Sequence, residues 1–312
     1  MLKKILRKYR NFITHPLRKR LDELEKINKN LIFLINQTVD IQKVKSVPSV
    51  QRVQKQQLDV LDKYMRFLKE IDVDFYLNFG SMLGAIRHRG FVPWDDDLDT
   101  AIFYEDFDKI LKHQNVLEKY GLALSSPVGK KETYILRGWH KIYDVKTQHH
   151  VSLFLMDIVR TENPETIYNI RGKYNYKADK IRFKQRYNEI SFEAMKTKLL
   201  ALNQEYFKEM EFQTRQTASK DAYLTTNIFN YKITSITKYA YVYPLQAVDF
   251  SVGNKQKAKE QPFIPNQAEK IIQDYYGEDY MSFPQNIFPL HPHNRNKNKT
   301  RNRAEDATAK RL

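Results

Sequence analysis

Two rhythms of apolar residues run through the chain. Leu17, Leu21, Leu24, Asn28, Leu31 and Ile35 follow 4-3-4-3-4 spacing, the a/d pattern of a short coiled coil with one polar layer. The same stripe describes an amphipathic helix packed on its own domain, a self-associating helix (residues 17–38), or a helix docked on a membrane surface. "SVPSV" (46–50) breaks the pattern and reads as a linker. Beyond it, Leu58, Leu61, Met65, Leu68 and Ile71 mark a second helix face. "DFYLNF" (74–79) reads as a strand, and "SMLGAIRHRG" (81–90) as a helix stopped by Gly90. "DLDTAIF" (97–103) alternates and then turns apolar, as a strand does, and "EDFDKILKH" (105–113) is a helix opened by acids. "YILRGW", "HKIYDV" and "HVSLFLMDIV" read as strands, the last strongly apolar. Residues 192–210 form a long helix, and 265–277 another between Pro265 and Gly277. Strands interleaved with helices predict an α+β (mixed α/β) class. Three parts result: residues 1–48, a basic leader and helix; residues 49–290, one mixed domain; residues 291–312, a basic disordered tail.

Composition narrows the picture. With 41% hydrophobic and 13% aromatic residues in 312, the chain can bury a sizeable core. It has no cysteine, which excludes disulfides, thiolate zinc sites and cysteine nucleophiles, and makes a reducing cytosol the simplest compartment. The formal charge of +16 implies an anionic partner: nucleic acid, acidic lipid or a phosphorylated substrate. Much of that charge lies at the ends, with eight Lys/Arg and no acid in residues 1–20. No apolar run approaches the roughly 18–20 residues of a membrane span, so the expected state is cytoplasmic, either soluble or peripheral. The leader suits an anionic membrane surface, each basic residue contributing about 1 kcal/mol near it. Nucleic acid is the less expected partner, since no recognised binding motif accompanies the charge.

Against this basic background stands an acidic knot. Asp95, Asp96 and Asp97 follow Trp94, and Asp99 comes after a single leucine. On a strand, Asp97 and Asp99 share a face about 7 Å apart, while Leu98 points to the core. Both carboxylates then reach one divalent ion, which removes their mutual repulsion. Oxygen ligands without His or Cys favour Mg²⁺ or Mn²⁺. Just upstream, Gly80 and Ser81 sit where a strand turns into a helix. Backbone N–H groups, a hydroxyl and the helix dipole there suit a phosphate. The combination outlines metal-assisted phosphoryl or nucleotidyl transfer. Arg87, about two turns along, is a candidate diphosphate clamp or a surface ion pair. His88 is a substrate contact or a packing histidine. Lys141 is placed to meet a phosphate. His149 and His150 are adjacent, so on a strand they face opposite ways and do not share a metal.

The stretch "FGSMLGAIRHRGFVPWDDDLDTAI" closely resembles the signature of the LicD family, within the nucleotidyltransferase-fold superfamily and related to fukutin-type transferases. "DIVR" (157–160), "VYPLQAVDF" (242–250) and "DYYGEDYM" (274–281) look like later family elements, so the likeness covers roughly residues 55–285. It implies a nucleotidyltransferase-like core sheet with flanking helices. It implies transfer of a phospho-alcohol, phosphocholine foremost, from a CDP-alcohol donor to a sugar hydroxyl of a cell-surface glycan, with release of CMP. The glycan acceptor is expected to be lipid-linked. The metal would lie on Asp97 and Asp99, with Asp95 as a further ligand. Asp157 is the candidate third carboxylate, completing the metal site or taking the acceptor's proton. Trp94 packs under the acidic loop, and Trp139, Tyr134 and Tyr143 stack a cytosine or sugar or simply fill the core. Some family members carry a cysteine zinc site; this chain cannot. The alternatives are a nucleotidyltransferase acting on RNA and a non-catalytic nucleic-acid-binding protein.

Overall fold

A computed structural model describes residues 2–125, 139–226, 235–253 and 256–284, the side chains of 2–14, 125 and 139 excepted. The strand expected at "YILRGW" and the tail 291–312 therefore fall almost wholly outside the described residues, as does Tyr134. The chain opens with helix α1 (Leu2–Thr38), which contains Pro16. Its stripe is not packed on the domain: Leu17 is 68% exposed and Leu31 52%. A short 3₁₀ turn (Ile41–Lys43) follows, with Ile41 buried. The break at "SVPSV" is a helix start, because Pro48 occupies the first turn of α2 (Pro48–Glu70), where its missing N–H costs nothing. The buried face of α2 runs through Val50, Val53, Leu58, Leu61 and Leu68, with Gln54 and Gln57 set among them.

Strand β1 (Tyr76–Leu77) is shorter than expected, because Phe79 already begins α3 (Phe79–His88). α3 is capped by Arg89 in the left-handed region (φ 51°), and not by Gly90. Then come β2 (Asp99–Phe103), α4 (Phe107–Lys112), α5 (Gln114–Lys119), β3 (Leu122–Ser125), β4 (Trp139–Asp144) and β5 (His150–Arg160). Helix α6 (Pro164–Arg186) has no counterpart in the sequence reading, since its apolar positions are too sparse for a clear stripe. α7 (Phe192–Glu209) follows, then β6 (Glu211–Gln213), β7 (Tyr223–Thr226) and β8 (Ile236–Lys238). The remaining elements are β9 (Gln246–Ala247), β10 (Ser251–Val252), β11 (Gln256–Lys257), β12 (Phe263–Ile264) and α8 (Ala268–Tyr276).

The main sheet runs β1-β2-β5-β4-β3, and β6 and β7 pair with the far half of β5. β2 and β5 are parallel; β4 runs antiparallel to β5. β2 shows the period-2 alternation of a two-sided strand: Ile102 packs with Leu61 and Leu155 on the α2 side, while Ala101 and Phe103 pack with Phe154 and Met156 on the other. A third cluster joins α6 and α7 through Ile167, Tyr174, Leu199 and Tyr206. Helices on a mixed sheet fulfil the α+β expectation. Among the described residues no helix is long and apolar enough to cross a membrane.

Gly90 has a different task from the one its position suggested. It forms a parallel bridge with Ser251, and a Cβ built on it would lie 1.9 Å from the Ser251 carbonyl oxygen. Only glycine permits that approach. Gly90→Ala is therefore expected to lower stability by about 3 kcal/mol, since backbone must move. Gly172→Ala, in α6 with nothing near its Cβ position, should instead gain about 0.5–1 kcal/mol through helix propensity. Paired thermal melts decide it; equal stability of the two variants would refute the close-approach account.

Candidate functional site

Five elements close on a cavity of 610 Å³ lined by Phe79, Gly80, Asp95, Asp97, Asp99, Tyr168, Ser235, Ile236, Asp274, Tyr275 and Tyr276. Three of the four acids of the knot thus face one space, at the N-terminal end of α3. The fourth, Asp96, is fully buried away from it.

The acids are held by their backbone. The Asp99 N–H donates to the Ser81 hydroxyl (2.8 Å), and its carbonyl accepts from the Asn78 N–H (2.8 Å). Ser81, read from sequence as a phosphate contact, is thereby a buried positioning residue whose oxygen already accepts from Asp99. Gln54, fully buried on α2, donates from Nε2 to the carbonyls of Val92 (3.1 Å) and Asp95 (2.8 Å). Gln57 donates to the carbonyl of Asp96 (3.1 Å). The loop that carries the acids has no ladder of its own, so these side chains satisfy backbone groups that strand pairing would otherwise take. Gly80 lines the cavity beside an acid: a Cβ there would stand 2.7 Å from Asp95 Oδ2, so a larger residue would displace that carboxylate. Phe79 beside it holds a left-handed backbone (φ 42°), a conformation costly for an aromatic residue and often retained at functional sites. Its ring is fixed against Phe154 (4.8 Å between centroids) and Tyr275 (5.3 Å).

Electrostatics follow from this crowding. Burial, then the charges of Asp97 and Asp95, push the Asp99 carboxyl well above its ordinary range; a hydrogen bond from Ser152 and the charge of Lys141 oppose the shift. Asp99, Ser152 and Lys141 stand in one row across β2, β5 and β4. Lys141 is thus brought near Asp99, on which its charge acts. Burial and the same carboxylates raise the phenol of Tyr276 on the far wall.

Other expected residues go elsewhere. Asp157 lies five residues beyond Ser152 on β5, about 16 Å along the strand at roughly 3.3 Å per residue. Its odd offset also turns it to the opposite sheet face from Asp99. There its charge acts on the phenols of Tyr206 and Tyr104, and Arg171 also acts on Tyr206. Asp157 therefore does not join Asp97 and Asp99. Arg87 is buried, and its guanidinium donates to His88 Nε2 (2.9 Å) and the Tyr280 carbonyl (2.7 Å), with its carbon 5.5 Å from the Trp94 ring centre. It ties α3 to the segment after α8 and does not clamp a ligand in the cavity. His88 accepts that bond and lines a separate hollow with residues 42–46; burial and Arg87 push its pKa down to about 4. Trp94 stacks on Phe283 (5.9 Å), packing beside the acidic loop as expected.

Sequence reasoning missed the opposite wall. Tyr168 comes from the unforeseen α6, Ile236 from the short β8 and Ser235 from the position just before it. Asp274, which accepts from the Thr237 hydroxyl (2.6 Å), comes from α8. Gln54 and Gln57 did leave a signal: two amides interrupting an apolar helix face at i, i+3.

The residues fit a divalent cation of one kind. Among the described residues no three carboxylates or imidazoles enclose a cation unaided. Mg²⁺ suits such a place, since it keeps waters and takes one or two carboxylates plus substrate phosphates. The raised Asp99 carboxyl is the strain that a cation would relieve.

Comparison with known proteins agrees with the signature. Residues 72–189 match the family described as LicD/FKTN/FKRP, nucleotidyltransferase domain. The lipopolysaccharide cholinephosphotransferase LicD of Haemophilus influenzae is 27% identical over 127 residues, 37% of this chain and 46% of that protein. The ribitol-5-phosphate transferase FKTN of Mus musculus is 36% identical over 81 residues, 25% of this chain and 17% of that protein. The matched stretch spans less than half of these relatives. Residues 72–189 are a LicD-family domain.

A carboxyl raised by the fold contributes stability that is present at low pH and lost as pH rises through its folded pKa. Without cation, Asp99→Asn is accordingly expected to melt higher than wild type at pH 8, with little difference at pH 4. Mg²⁺ should raise the wild-type melting temperature more at pH 8 than at pH 5, because it displaces a proton, and should leave the variant unmoved. Melts with EDTA or Mg²⁺ measure both; a variant less stable than wild type at pH 8 in EDTA would contradict the strain.

Proposed function

We propose that this chain is a metal-dependent transferase that moves a phospho-alcohol from a CDP-activated donor to a sugar hydroxyl of a cell-surface glycan, releasing CMP. The observation that carries the reading is the convergence of Asp95, Asp97 and Asp99 on one cavity at the N-terminus of α3, inside a LicD-family domain. In the reaction, the acceptor oxygen bonds to the phosphorus that carries the alcohol, and the bond from that phosphorus to the CMP oxygen breaks. The hydroxyl proton passes to a base.

Asp97 and Asp99, with Asp95 beside them and phosphate oxygens of the donor completing the set, would hold Mg²⁺ or Mn²⁺, which when bound supplies charge neutralisation for the diphosphate. Gly80 leaves room for a phosphate at the helix terminus, where the dipole favours anions. Lys141, in the row of Asp99, adds a cation on the same side. Tyr168, Tyr275, Tyr276 and Phe79 give the opposite wall aromatic faces, and Asp274 adds a carboxylate. Aromatic faces with an acid suit a quaternary ammonium better than a polyol, which supports choline as the alcohol. A cytoplasmic site of action, peripheral on the inner membrane face, follows from the basic leader and a lipid-linked acceptor.

Metal-dependent CMP release from a panel of CDP-alcohols tests this, donor hydrolysis standing in for transfer. CDP-choline is the expected substrate, Asp99→Ala should lower the rate at least about 100-fold, and EDTA should match that loss. Asp274→Asn should raise KM for CDP-choline and leave the rate with CDP-ribitol unchanged. No CMP release and no calorimetric binding of any CDP-alcohol with Mg²⁺ would refute the donor and turn the search to nucleoside triphosphates with RNA.

A further inference from the structure

Past Pro16, α1 leaves an apolar stripe in solvent. Leu17 is 68% exposed, Leu21 and Leu24 56% each, and Leu31 52%, with Ile27 and Leu34 also exposed beside them. We propose that this stripe is the seam of a parallel two-stranded coiled coil formed with a second copy of the chain.

The register supplies the first argument. With Leu21, Asn28 and Ile35 at a positions, Leu17, Leu24 and Leu31 fall at d. Leucine at d with a single Asn at a is a pattern of paired parallel helices, the Asn fixing register at some cost in stability. Charge supplies the second. Arg20 then lies at g and Glu25 at the next e. In a parallel pair each g position meets the e position five residues on in the other helix, so Arg20 meets Glu25 of the other copy, twice by symmetry. Antiparallel packing sets g against g and e against e, and loses that match. The seam also has a natural start. Extending the repeat backwards puts Thr14, Arg10, Arg7 and Lys3 at core positions, where two copies would repel.

The same residues argue against a lipid occupant for this face. Asn28 lies in the middle of the stripe, where a membrane-bound helix would sink it among acyl chains.

Sedimentation velocity on the full chain tests the proposal. A dimer that dissociates on dilution is expected, and the double variant Leu24→Lys, Leu31→Lys should be monomeric with an unchanged domain melt, since both side chains are exposed. Arg20→Glu should weaken the dimer roughly 3- to 10-fold, and adding Glu25→Arg should restore it. The chain has no cysteine, so Leu17→Cys gives a clean orientation probe: air oxidation should cross-link the parallel pair at its d layer. A wild-type monomer at every concentration overturns the proposal. So does a dimer that survives the double lysine variant, or one that Leu17→Cys fails to cross-link. Binding to anionic vesicles by a monomeric chain, lost in the double lysine variant, would assign the face to lipid instead.

Discussion

Holding like charges together is the constraint on which this architecture rests. Three carboxylates share one cavity, and each repels the others. The fold fixes their backbone. The Ser81 hydroxyl and the Asn78 N–H pin Asp99 from one side, and the Gln54 and Gln57 amides hold the loop at Val92, Asp95 and Asp96 from the other. All four of those side chains are buried. Burial first, and then the repulsion held in this stiff setting, are expressed as the raised Asp99 carboxyl.

What the sequence made legible was local. Alternation placed Asp97 and Asp99 on one face with Leu98 inward, and the structure keeps that arrangement although only Asp99 belongs to the strand itself. The Gly-Ser turn was located correctly, yet the roles within it were not: glycine makes room and serine braces, because a hydroxyl next to an unpaired strand N–H is drawn to it. Asp157 illustrates the limit. Its strand was plain, but register and face follow from pairing with β2, and an odd number of residues separates Asp157 from the row of Asp99. Arg87 failed for a related reason. A guanidinium satisfied by carbonyls nearly two hundred positions away leaves no trace in its own neighbourhood.

The far wall of the cavity was the least legible part. α6 carries few apolar residues in step, so no stripe announced it, and β8 is three residues long. Tyr168 and Asp274 are ordinary surface-type residues until those elements bring them opposite the acids. The α1 stripe is the converse case. Its heptad spacing was plain in the sequence, whereas its exposure was evident only in the fold, and the two together separate a seam from a core helix.

The cavity also has a history in time. Its acids lie between positions 95 and 99, and its last lining residue is Tyr276. During synthesis the acidic loop leaves the ribosome long before the helix that completes its opposite wall. Gly90 likewise waits for Ser251. Until those partners arrive, the loop is an open anionic ledge on a strongly basic nascent chain, exposed to whatever cations and lysines are near. The half-built domain thus carries its most concentrated negative charge at the point where its own positive charge has the longest opportunity to misplace it.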